Sequence, residues 1–162
     1  MFKIKLLILL LINFLFISCI KTDNFQQSTK FRIGYIAGEY DGLLLKNYLT
    51  SYLNGKNLLD IKSAYEIRAS ISHKDQLYIT NIDNTSDREK ITSTLSVVIQ
   101  DTNLDCAIFE NKESLSQFYI FASNDFFLSN KTAVKEIKKN NTEELVKNLL
   151  KKINLMEFKC NE

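Results

Sequence analysis

The 162-residue chain has no proline, no tryptophan, one histidine, four glycines and three arginines. The missing proline and tryptophan, beside abundant Lys, Asn and Ile, reflect an AT-rich coding sequence rather than a structural demand. The other scarcities exclude chemistry. A metal site takes three or four clustered His, Cys or carboxylate ligands, and His73 stands alone. A Ser-His-Asp site would have to use that same residue, and no strained Gly-x-Ser-x-Gly turn presents a serine. The plainer reading of His73 is a solvated histidine at a strand end. The glycines each lie beside a turn or strand and form no phosphate-cradling loop. Carboxylates are scattered among lysines, as on any solvated surface. The sequence therefore offers no catalytic residue, no metal ligand set and no cofactor site, and the expectation is a protein that is not an enzyme. Sequons begin at Asn84, Asn130 and Asn140, as many as chance gives in so Asn-rich a chain.

The N-terminus is the most informative stretch present. Lys3 and Lys5 form a positive start, followed by an apolar run from Leu6 to Ile17 that only Asn13 interrupts. At about 12 residues the run falls short of the ~20 that a membrane-spanning helix needs. Ser18 then supplies the small side chain a signal peptidase requires, and Cys19 follows. Residues 1–18 read as a signal peptide, and Cys19 as a lipid acceptor that holds the exported chain to a membrane. The alternatives are an ordinary signal peptide with an incidental cysteine, or an uncleaved anchor.

Cleavage before Cys19 would leave 144 of the 162 residues, enough for one domain with a core. It removes two of the 21 basic residues, so 19 face 19 acidic ones and the net charge falls from +2 to zero. A neutral domain gives no case for nucleic acid, whose phosphates call for a basic excess. With Cys19 acylated, Cys106 and Cys160 remain. They either form a disulfide that ties the tail to the domain, as an oxidising compartment allows, or stay as two free thiols. The sequence inclines to the thiols.

Residues 19–30 are polar and aperiodic, a lipidated tether. Residues 31–156 read as one domain and 157–162 as a polar tail. Phe31, Ile33, Tyr35 and Ala37 alternate on one strand face. Gly38 to Gly42 turns the chain, with Asp41 as helix N-cap, and Leu44, Leu45, Tyr48, Leu49, Tyr52 and Leu53 recur at helical spacing until Asn54-Gly55. Tyr65, Ile67, Ala69 and Ile71 alternate next. His73 to Gln76 reads as a turn, Leu77 to Ile82 as a short extension, and 83–87 as a loop. Ile91, Ser93, Leu95, Val97 and Ile99 share a strand face. Residues 106–121 form a strand broken at Asn111-Lys112-Glu113. A final helix carries Val134, Ile137, Leu145, Leu149 and Ile153, interrupted at Asn140-Asn141 and restarted with Thr142 as N-cap. The order β-α-β-β-β-α, with strands apolar on one face, predicts an α+β two-layer sandwich. Two amphipathic helices cover one face of a mostly antiparallel four-stranded sheet, and the other face carries Ser, Thr, Arg and Gln.

The chain resembles the lipopolysaccharide-assembly lipoproteins of the LptE family. The resemblance rests on Phe16-Ile17-Ser18-Cys19 as lipobox, Phe31-Arg32-Ile33-Gly34-Tyr35-Ile36, Leu45-Lys46-Asn47-Tyr48-Leu49, Tyr65-Glu66-Ile67-Arg68-Ala69, Thr85-Ser86-Asp87-Arg88 and Leu95 to Asp101, in that order, with the closing helix. It covers most of residues 31–155. The chain departs from the family at Phe16, at Ile20, at Lys46, where Arg is usual, and in lacking a nearby proline. The resemblance implies a plug and assembly partner for the outer-membrane barrel LptD, lipid-anchored on the periplasmic side and in contact with lipopolysaccharide. By position, Arg88 matches the basic residue that such proteins turn toward lipid A phosphates, with Lys131 and Lys135 as further candidates. The alternative is an auxiliary lipoprotein of an ABC-type lipid-transport system.

Overall fold

A computed structural model describes residues 29–79, 86–120, 127–156 and 158–160. The signal segment, Cys19, most of the tether and the loop around residue 83 lie outside the described residues. The element order is β1 (Arg32–Ala37), α1 (Tyr40–Gly55), β2 (Tyr65–Ile79), β3 (Ser86–Asp101), β4 (Cys106–Ile120) and α2 (Phe127–Ile153). The strands lie in the order β1-β2-β3-β4. β1 runs parallel to β2, and the other two pairings are antiparallel. This is the expected α+β sandwich. Leu45, Leu49 and Leu53 of α1 and Leu145, Leu149 and Ile153 of α2 are fully buried, together with Ile67, Leu95 and Ile99 of the sheet.

Several local expectations fail where a tertiary partner or a local backbone feature outweighs sequence propensity, and β3 already begins at Ser86, inside the expected 83–87 loop. β2 does not turn at His73–Gln76, for those residues continue the ladder opposite Ser93, Thr92, Ile91 and Lys90. β4 is unbroken at Asn111–Glu113. Lys152 of α2 reaches both Asn111 Oδ1 (3.1 Å) and Glu113 Oε2 (2.7 Å), so polarity there marks a helix contact. α2 is unbroken at Asn140–Asn141. The Thr142 hydroxyl donates back to the Lys138 carbonyl at 2.7 Å instead of capping a new helix. In β1 the register shifts between Ile33 and Ile36, which sends Ile36 against the core and leaves Tyr35 73 % exposed.

Helix α1 starts before the expected cap. Gly38, at φ 107°, makes the turn that an L side chain would resist, and the N-cap is Glu39, without a side-chain capping bond. Gly42 lies inside the helix against β1, where a Cβ would meet the Ala37 carbonyl oxygen at 2.7 Å. Glycine there lets helix and strand pack closely. At the helix end the positive φ belongs to Asn57 rather than Gly55.

Cys106 and Cys160 are disulfide-bonded, not free, with their Cα atoms 5.7 Å apart. The bond fixes the segment after α2 at the base of the sandwich. There the Phe158 ring packs on Tyr65 (5.3 Å between centroids) and Phe31 (5.8 Å).

Candidate functional site

The period-2 pattern puts the even residues of β3 from Arg88 to Gln100 on the face away from the helices. That open face is built from small hydroxyls. Thr92 bonds Ser116 at 2.9 Å and Thr94 bonds Ser114 at 2.8 Å across the β3–β4 pair. At the β1 end, Glu66 accepts from Arg68 Nε at 2.6 Å and from Arg32 Nη2 at 2.6 Å. Those guanidiniums, Arg68 first, hold its carboxyl below the usual range. At the opposite end Arg88 sits between Tyr78 of β2 and Ile120 of β4. The Tyr78 and Phe118 rings meet there edge-on at 5.5 Å, with the Lys90 ammonium 5.7 Å from the Phe118 centroid. Phe118 and Ile120 are 57 % and 77 % exposed, so this end of the face is cationic and apolar together.

Lys131 and Lys135 lie on the other side of the sheet. They line a cleft of about 660 Å³ between the start of α1 and the N-terminal half of α2, whose wall includes Tyr40, Leu44, Val134 and Tyr119. The Lys135 ammonium stands 5.6 Å over the Tyr40 ring. Lys138 and Lys139 line the cleft too and are ion-paired, to Asp75 at 2.9 Å and Glu136 at 3.2 Å. The Tyr119 hydroxyl donates to Glu89, and burial, then that carboxylate, pushes its pKa up. The three candidates therefore do not form one site, because the sheet parts Arg88 from the two lysines. Sequence reasoning missed Lys138, Lys139 and the aromatic walls. The signal was available, since residues 131, 135 and 138 share one helical face.

Beneath the cleft lies a polar layer. His73 is not a solvated strand-end residue, for its side chain is only 3 % exposed. Its Nδ1 bonds Ser93 Oγ at 2.7 Å, Asn141 Nδ2 donates to the same oxygen at 3.0 Å, and Asp41 Oδ2 stands 3.8 Å from Nε2. The residue types are those of a hydrolytic triad, but Ser93 is fully buried under α2, so no substrate carbonyl can reach it. What the layer can do is fix α2 over β3.

Burial lowers the His73 pKa from its ordinary 6.5, a shift that Lys138 reinforces while Asp41 and Asp75 oppose it. As pH falls below 6.5 the unfolded chain takes up a proton there that the folded protein refuses. This contribution to stability is thus complete above that value and declines beneath it. Glu66 and Glu113, whose pKa values are lowered from 4.5, withdraw theirs only in more acid solution. The urea midpoint is expected to be lower at about pH 5 than at about pH 7.5, and the difference to shrink in His73→Gln. Equal midpoints at the two pH values in the parent protein would remove His73 as the cause.

Solved structures share this architecture. Rare lipoprotein B from Shewanella oneidensis superposes with a TM-score of 0.62 at 10 % identity, over 77 % of this chain and 92 % of that one. Lipoprotein B from Nitrosomonas europaea gives 0.58 at 12 %, over 78 % and 82 %. A minor lipoprotein from Acinetobacter baumannii gives 0.57 at 13 %, over 78 % and 91 %. At such identities the likeness is one of fold. No protein-family model and no curated protein matches the sequence.

Proposed function

We propose that this chain is an exported envelope lipoprotein, acylated at Cys19, that acts as LptE-type proteins do. It plugs and helps assemble an LptD-type outer-membrane barrel from the periplasmic side and contacts lipopolysaccharide through Arg88. It breaks no bond. The observation that carries the reading is a fold shared with bacterial lipoproteins, placed behind a signal segment that ends in Ser18-Cys19. The Cys106–Cys160 disulfide supports export, since such bonds persist in oxidising compartments. The hydroxyl-lined open face suits the water-filled lumen of a large barrel. Arg88, beside exposed Phe118 and Ile120, places a positive charge next to an apolar surface, the pairing that a phosphate with an acyl chain requires.

Arg88→Glu is expected to weaken lipopolysaccharide binding roughly tenfold, the equivalent of about 1.4 kcal/mol, with the urea midpoint unchanged. Binding to immobilised lipopolysaccharide measures it. Unchanged affinity would remove Arg88 from the site.

A further inference from the structure

We propose that the cleft between α1 and α2 binds an anionic amphiphile carrying a single acyl chain. Its volume of about 660 Å³ falls among small-ligand pockets, which are mostly apolar with a few placed polar groups. Tyr40, Leu44 and Val134 supply an apolar wall, and the lysine stems extend it while their ammonium groups reach the rim.

The charges at the rim are unequal. Lys138 and Lys139 are engaged by Asp75 and Glu136. Among the described residues no carboxylate lies within ion-pair distance of Lys131 or Lys135. Asp41, the carboxylate in the lining, stands beside His73. His73 resists protonation and so does not balance the Asp41 carboxylate; with four lysines against Asp41, Asp75 and Glu136, the cleft keeps a net positive charge beside an apolar wall. A neutral lipid would leave the cations unmatched, and a small hydrophilic anion would leave the apolar wall wet. A carboxylate or phosphate head with one chain satisfies both parts. A glycolipid with several chains exceeds the volume, which makes this site distinct from Arg88 on the far side of the sheet. Two sources present the required chemistry, free fatty acids and lysophospholipids. The inference does not depend on a barrel partner.

The test uses full-length protein in lipid nanodiscs, with photoreactive palmitic acid, photoreactive lysophosphatidylglycerol and the matching photoreactive fatty alcohol. Crosslinks are mapped by mass spectrometry. The anionic probes are expected to mark the α1 segment 40–44 and the α2 segment 131–139, well above the alcohol. Lys131→Glu with Lys135→Glu should lower that labelling at least roughly tenfold. Val134→Trp should block it by filling the cleft. Arg88→Glu should leave it unchanged. Labelling by the carboxylate probe alone assigns the site to fatty acids, and by the phosphate probe alone to lysophospholipids. Equal labelling by the alcohol, labelling indifferent to the lysine reversals, or loss of labelling in Arg88→Glu would overturn the inference.

Discussion

Breaking the Cys106–Cys160 bond is expected to cost the domain about 4 kcal/mol of stability. The two cysteines are 54 residues apart, and closing a loop of that length restricts the unfolded chain by roughly this amount in the chain-entropy account. The cross-link also holds Phe158 against Phe31 and Tyr65 at the base of the core. For a domain of this size the urea midpoint should fall by roughly 2 M in Cys160→Ser, and equally when the parent protein is treated with dithiothreitol. A midpoint that neither treatment moves would show that the bond contributes nothing to the fold. Natural stabilities run to only about 5–15 kcal/mol, so a loss on this scale matters in the cell. The chain should accumulate where disulfides form and be degraded where they do not.

Cys19→Ser is expected to abolish incorporation of radiolabelled palmitate and to release the domain from alkali-washed membranes. The argument is one of hydrocarbon burial. Each methylene placed in the bilayer contributes about 0.8 kcal/mol, and durable anchoring takes more than one chain. Among the described residues no helix is long and apolar enough to cross a membrane. In this account Cys19 carries the acyl chains, and its loss is expected to remove the label completely. Continued labelling would refute acylation at this residue. Retention on alkali-washed membranes without label would assign attachment to the uncleaved apolar segment from Leu6 to Ile17.

What could be read in advance follows from where the information lies. Period-2 and helical spacing are local, so Ile67, Leu95, Ile99, Leu45 and Leu149 could be placed in the core from the sequence. Polar residues inside an element misled wherever their partner is distant in sequence. His73 reads as a turn until Ser93 and Asp41 close around it. Asn141 reads as a break until it donates to Ser93, and Glu113 until Asn148 and Lys152 reach it. The disulfide escaped for the same reason. The individual site residues were legible and their grouping was not. Arg88 lies on a strand whose face depends on register, and Lys131 and Lys135 lie on a helix whose neighbour, α1, is far away in the chain.

The central claim, a lipid-anchored domain that plugs a barrel, is tested most directly by purifying the tagged full-length protein from detergent-solubilised membranes and identifying what comes with it. The expected companion is a large outer-membrane β-barrel, retained in near-equal amount and carrying lipopolysaccharide. An inner-membrane permease or ATPase in its place, or no membrane protein at all, would contradict the account.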